Sequence, residues 1–194
     1  MPWEKDFDVE EAVDLAMGVF KAKGYKATSI TDLSHAMKLN KGSIYNAYGS
    51  KKALFLRALD KYDREKRRAM LTKLSAMEDP LEAIRLLFTG LVEESMTDQT
   101  QSGCLLVNTA LDLPNHDEDV QKLVKEAMED FENFFFHQLE KAVESGALPK
   151  SFDMKSTAAA LLSYIVSIRV LARGVFDRDG LTTLSNQALK LITP

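Results

Sequence analysis

The sequence predicts an all-α protein: a three-helix N-terminal helix-turn-helix domain, residues 1–50, followed by a larger helical domain, residues 51–194. Three observations carry this. Apolar residues recur at three- and four-residue spacing in almost every stretch between breaks. Only five prolines and nine glycines interrupt 194 residues, too few for a chain of many short strands and turns. Finally, Ser29 to Leu56 reads SITDLSHAMKLNKGSIYNAYGSKKALFL, two short helical patterns on either side of a break at Lys38-Leu39-Asn40.

The elements follow in order. Asp8 to Lys23 is an amphipathic helix with Ala12, Leu15, Ala16, Val19 and Phe20 on one face, ended by Gly24. Trp3 and Phe7 precede it. Ser29 with Asp32 three residues on has capping-box spacing, and Ile30, Leu33, Ala36 and Met37 give the second helix its apolar face. Asn40 is an N-cap for a short third helix, Lys41 to Ala47. There Ile44 faces inward and Lys41, Ser43, Tyr45 and Tyr48 point elsewhere. Two short helices joined by a tight turn form a helix-turn-helix, whose second helix can enter a major groove. Gly42 allows a phosphate to approach backbone N–H groups at the start of that helix. Ser50 caps a long helix running to about Leu74, with Lys51 and Lys52 in its first turn, where cations oppose the helix dipole unless an anion lies beside them. Its charged middle, Lys61 to Arg68, is expected to face solvent.

In the second domain Asp79-Pro80 starts a helix carrying Leu81, Ile84, Leu87, Phe88, Leu91 and Val92. After the polar stretch from Thr97 to Gly103, Cys104 opens a short apolar helix, Leu105 to Leu113, closed by Pro114. Asp117-Glu118-Asp119 begin a long helix that stops at Gly146. Met154 to Ala172 is apolar on more than one face, and Leu181, Leu184, Ala188 and Leu191 are spaced as a helix-pairing seam.

Charge is unevenly spread. The net charge is −4, yet Lys21 to Lys73 holds 14 Lys and Arg against 4 Asp and Glu, the footprint expected of phosphate contacts. The acidic remainder would repel DNA and help select the docking face. No run approaches 18 apolar residues, so no membrane span is expected. The start, MPWEKDFDVEE, lacks the apolar core of a secretory signal, and a single cysteine fits a reducing compartment, so the expected location is the cytoplasm.

The string carried by Phe20, Gly24, Tyr25, Thr28, Ser29, Ile30, Asp32, Leu33, Lys41, Gly42, Ser43, Ile44, Tyr45, Tyr48, Gly49, Ser50, Lys52, Leu54 and Phe55 resembles the N-terminal domain of TetR-family transcriptional regulators. The resemblance covers about a quarter of the chain. It implies a homodimeric regulator, a repressor, that binds double-stranded operator DNA and is released by a small-molecule effector. The expected DNA-binding residues are Thr28, Ser29, Lys41, Gly42, Ser43, Tyr45, Tyr48 and Lys52, with Ser43 nearest base edges and Tyr48 and Lys52 on phosphate.

Candidates for an apolar effector pocket are Phe88, Leu91, Cys104, Leu105, Asn108, Phe131, Phe134, Phe135, Tyr164 and Ile168. Asn108 and Tyr164 are the informative ones, since each puts a polar tip into an apolar stretch. Leu161 and Ile165, with Leu181, Leu184, Ala188 and Leu191, are the expected dimer interface, a four-helix bundle across a two-fold axis.

No enzyme motif is present. His35, His116 and His137 are scattered, no clustered Cys/His spacing exists, and there is neither a Walker A nor a GxGxxG loop, so no metal, cofactor or catalytic residue is expected. Two other readings remain: a small-molecule sensor whose helix-turn-helix serves protein interaction, and an electrophile or redox sensor acting through Cys104. Ser102-Gly103-Cys104-Leu105 resembles a segment of some TetR-like repressors that respond to electrophiles, and a thiol in a helix's first turn is activated by the helix terminus. Against that, no Lys or Arg lies within fifteen residues of Cys104 along the chain.

Overall fold

The computed structural model describes residues 8–193, and Trp3 and Phe7 lie outside them. Every described regular element is helical. α1 (Val9–Lys23) starts where the Asp8 carboxylate accepts from the N–H groups of Glu10 and Glu11, and it ends at Gly24. Gly24 has φ 78° and ψ 164°, a conformation essentially reserved for glycine that costs other residues about 1–3 kcal/mol. α2 (Ile30–Met37) carries the full capping box between Ser29 and Asp32. α3 (Lys41–Tyr48) is capped by Asn40, whose side chain accepts from Ser43 N–H, and α4 (Lys51–Tyr62) by Ser50. Ala12, Val13, Ala16 and Phe20 of α1 pack with Leu33, Met37, Ile44, Leu54 and Phe55 in one core. That core continues through Leu59 and Tyr62 to Leu106, Val107, Val120 and Val124, so α4 packs with both halves of the chain. The division expected at residue 50 therefore falls just ahead of a helix that both halves share.

The long helix expected from Ser50 to Leu74 is present in three parts, and its middle is solvated only in part: Arg64, Glu65, Lys66 and Arg68 are exposed. Asp63–Arg68 is a π-helical turn, followed by α5 (Ala69–Ser75). Lys61, Asp63 and Arg67 are buried, and the Asp63 carboxylate accepts from Arg67 Nη2 at 2.9 Å and Arg68 Nε at 2.6 Å. Arg67 also reaches Asp130 at 2.9 Å. A widened turn brings side chains at i, i+4 and i+5 around one carboxylate, which is how this charged stretch enters the interior.

α6 (Pro80–Thr97) begins with Pro80 behind the Asp79 cap. α7 (Leu105–Ala110) ends three residues before the expected Leu113, and a 3-10 turn, Leu113–Asn115, follows. Pro114 supplies no N–H and disfavours helical backbone at Leu113. α8 (Glu118–Glu144), α9 (Met154–Leu171) and α10 (Arg178–Lys190) complete the chain. α6, α8, α9 and α10 pack together around Phe88, Phe135, Leu139, Leu161, Ile168 and Leu181.

Two expectations about this bundle change. α9 is long and apolar enough on composition to cross a membrane, contrary to the reading of the sequence, but it packs on α6, α8 and α10. Leu161, Ile165, Leu181 and Ala188, expected at the dimer interface, are each no more than 2% exposed within the single chain. Their helical spacing serves the protomer's own core; of the six residues, only Leu184 and Leu191 keep surface.

Candidate nucleic-acid interface

α3 presents Lys41, Gly42, Tyr45 and Asn46 to solvent, with Tyr45 48% exposed. Ile44 is fully buried and turns the opposite face onto the core. Gly42 matters for a close approach. A Cβ there would lie 3.3 Å from Asn40 Oδ1, the atom that caps the helix. Asn46 was not foreseen. The sequence reading followed phenols and charges, yet Asn46 lies one helical turn after Gly42 on the exposed face, and an amide can read adenine through two hydrogen bonds.

Several expected DNA residues are otherwise engaged. Tyr48 is buried, and its hydroxyl donates to Val9 O at 3.1 Å, so it holds α3 to α1 and is not free for phosphate. Its apolar neighbours outweigh a phenol's affinity for the surface, and burial pushes that phenol's pKa up. Thr28 is 1% exposed, with its hydroxyl on Gly24 O at 2.7 Å. Ser43 is buried at 9%, while Ser29 is exposed and spent on its capping box. Asp32 of that box is held well below the usual carboxylate range by hydrogen bonds from Lys23 and Ser29.

The two lysines at the start of α4 have protein partners. Lys51 Nζ donates to Tyr25 O at 2.9 Å and Thr28 O at 2.8 Å and sits 4.3 Å over the Tyr25 ring. Lys51 thereby fastens the loop that orients α2. Lys52 pairs with Asp117 at 3.3 Å, Lys26 with Asp112 at 3.2 Å and Lys21 with Asp98 at 3.1 Å. Part of the basic footprint thus ties the N-terminal helices to acidic groups of the second domain. Among the described residues, Lys38 and Lys41 make no ion pair and lie at the two ends of the turn into α3. Lys38 itself ends α2 in a left-handed conformation, φ 54°.

Behind this unit are two cavities. One of about 230 Å³ lies between α1, α4 and α7, where His116 stacks 5.5 Å from Phe55. Leu105 and Asn108 line it rather than the effector pocket expected for them. Asn108 donates to Ser102 O at 2.7 Å and accepts from Arg173 Nη1 at 3.1 Å, which satisfies its polar tip. The other cavity, about 410 Å³, lies beneath the π turn. Of the expected pocket residues, Cys104 and Phe131 line it. Phe88, Leu91, Phe134, Phe135 and Ile168 are packed in the core, with Tyr164 against them, because their stripes meet one another across the bundle. Tyr62, Arg67, Glu94, Ile165 and Arg169 line the larger cavity and were not predicted for it, since they come from four separate helical segments.

Cys104 differs from expectation in two ways. It is the N-cap residue of α7, not in its first turn, and a helix of six residues follows it. Arg169, remote in sequence, is beside it in space, together with Tyr62.

Comparison with known proteins places this architecture. Residues 12–58 match the family described as bacterial regulatory proteins, tetR family. Residues 80–185, more than half of the chain, match the tetracyclin repressor-like C-terminal domain. The chain belongs to the TetR family. It is a DNA-binding transcriptional regulator, not an enzyme. This TetR-family chain is 29% identical to the HTH-type transcriptional regulator YezE of Bacillus subtilis, over 91% of its own length and 92% of that protein's. It is 28% identical to the HTH-type transcriptional repressor ComR of Escherichia coli, over 96% and 90% respectively. Among solved structures it is similar to the TetR-family regulator CifR, a cysteine mutant complexed with 26 bp double-strand operator DNA. The TM-score is 0.85 and the identity 26%, with 97% of this chain and 98% of that one covered. A TetR-family regulator from Agrobacterium tumefaciens, 22% identical with a TM-score of 0.85, shares the fold, over 95% and 97% of the two chains.

Proposed function

We propose that this TetR-family regulator is a cytoplasmic, homodimeric repressor that binds a two-half-site operator and leaves it when a small molecule fills the cavity beneath the π turn. The observation that carries this reading is the position of that cavity. Its wall includes Tyr62, the last residue of α4, and Arg67 of the π turn, while the other end of α4 fastens the α1–α2 loop through Lys51. A change in the cavity is therefore a change in the helix that carries α3. Such a shift alters the separation of two recognition helices in a dimer, and operator affinity depends on that separation.

Support for the dimer comes from α9, of which only 28% is buried within the protomer although its composition is apolar. The outer parts of α9 and α10, including Leu184 and Leu191, offer the surface for a second copy. In the proposed complex Lys41, Gly42, Tyr45 and Asn46 face the major groove, and Lys38 and Lys52 meet phosphate. Operator binding tests the reading: affinity should fall steeply with salt, and Asn46→Ala should relax specificity at one base position, losing about 1–3 kcal/mol. Binding that ignores salt would favour the alternative in which the helix-turn-helix serves protein interaction.

A second reading concerns Cys104, because it lines the same cavity beside Arg169. Alkylation of folded protein near pH 7 with loss of operator binding supports a thiol sensor. A thiol unmodified until unfolding, consistent with its 8% exposure, leaves a reversible ligand as the effector.

A further inference from the structure

The 410 Å³ cavity has a chemistry of its own. One part of its wall is apolar, made by Met70, Leu106, Val107, Phe131 and Ile165. Facing it is Arg169 of α9, a guanidinium on a side chain 9% exposed. Among the described residues Arg169 donates one side-chain hydrogen bond, from Nη2 to Glu94, and a guanidinium has five N–H donors in a planar fork. Tyr62, Cys104 and Glu94 are the charged or polar groups around it, and all three line the cavity. Glu94, by contrast, is 47% exposed at the side chain.

The asymmetry of this pair is informative. The cation is fixed inside the fold, whereas its carboxylate partner reaches in from the surface and is half solvated. A buried guanidinium left alone is expensive, but exchanging a half-solvated carboxylate for a ligand's carboxylate keeps it paired throughout. Glu94 therefore occupies the place where a ligand's anion would sit. The other cation near the cavity floor, Arg67, is already held by Asp63 and Asp130, so it is not available for exchange. At the cavity's edge the exposed Lys66 and Lys73 stand against one exposed carboxylate besides Glu94, that of Glu65, which leaves the edge net positive.

We infer that the cavity binds an amphipathic monoanion, a carboxylate with an apolar tail of roughly ten carbons, whose head group replaces Glu94 on Arg169 and whose tail lies against Phe131, Leu106 and Ile165. The volume suits it, since ligand pockets run from about 300 to 1,000 Å³. Binding would be in two-point fashion, with the planar fork meeting the carboxylate and the tail burying apolar surface against the apolar wall. This rests on the proposed function above, in which this cavity is the effector site.

The test uses the full chain and three probes of like tail length: decanoate, decanol and decyltrimethylammonium, each titrated calorimetrically. Decanoate should bind at least about tenfold more tightly than the other two, as expected for one charge-assisted pair in a buried setting. Arg169→Gln should abolish that preference. Glu94→Gln keeps a carbonyl oxygen that accepts from Arg169 but removes the competing charge, and should tighten decanoate binding by up to about fivefold. Equal binding of the three probes, no binding of any, or unchanged or weaker decanoate binding to Glu94→Gln would overturn the inference. Operator binding is read separately on the same samples. If decanoate binds as described and the operator is retained, the anion site stands and the effector reading fails. If decanoate does not bind while some other molecule releases the operator, the reverse holds.

Discussion

Asp117 is the most direct handle on how the DNA-binding half is poised. It pairs with Lys52 at 3.3 Å, and the two side chains are 51% and 44% exposed. In solvent of high dielectric a contact at that distance is worth about 1 kcal/mol before entropy and salt reduce it, and measured exposed pairs fall at about 0–1 kcal/mol. Asp117→Asn therefore frees Lys52 for phosphate with a gain of up to about fivefold in affinity per protomer, or about thirtyfold for two protomers on one operator. The fold should tolerate the change. Asp117 occupies the N-cap of α8 without a side-chain cap bond, and Asn is an equally good N-cap residue. Fluorescence anisotropy on operator DNA, at several salt concentrations, measures the effect in four proteins: wild type, Asp117→Asn, Lys52→Ala and the double variant. Lys52→Ala should shrink the salt slope by about one per protomer. The gain from Asp117→Asn should largely vanish when Lys52 is absent. An equal gain in both backgrounds would show that only overall charge matters and that the pair does not hold Lys52 back; no gain in either would refute the reasoning entirely.

Other consequences follow from individual contacts. Asp63→Ala leaves the buried Arg67 with Asp130 as its remaining carboxylate, and urea unfolding should report a loss of about 3 kcal/mol; a loss under about 1 kcal/mol would mean the π turn does not depend on the Asp63 carboxylate. At Asp98 burial raises the pKa, but donors from Thr100, Lys21 and Ser102 outweigh it and hold the carboxyl below its ordinary range. A depressed folded pKa gives stability that is present above the unfolded value, near 4, and is lost as pH falls below it. The stability gap between wild type and Asp98→Asn should accordingly narrow on titration from about pH 6 to pH 3, and a gap independent of pH would exclude this carboxylate as its source. Leu184→Glu with Leu191→Glu, the two expected interface residues that keep surface, should shift sedimentation from dimer to monomer and abolish operator binding. A wild-type chain that sediments as a monomer at micromolar concentration would remove the dimer altogether.

Local chemistry was legible in the sequence alone. Capping residues act within three residues of themselves, so Asp8, Ser29, Asn40, Ser50 and Asp79 marked helix starts that the structure shows. The helix-turn-helix string was equally local, and it led to the family. What only tertiary structure decided was which neighbour each side chain meets. Tyr48 and Lys51 look like phosphate contacts until Val9 and the carbonyls of Tyr25 and Thr28 are found beside them. Leu181 and Ala188 look like a dimer seam, but periodicity states that a face is apolar and not whose core it enters. Arg169 was invisible as a partner of Cys104, being 65 residues away along the chain, and Lys61 to Arg68 read as solvated because charge alone does not announce a buried pair. Short-range rules fix caps and helical faces. Burial and ion pairing are long-range outcomes of how the described helices pack, and they decide which polar groups remain free to bind.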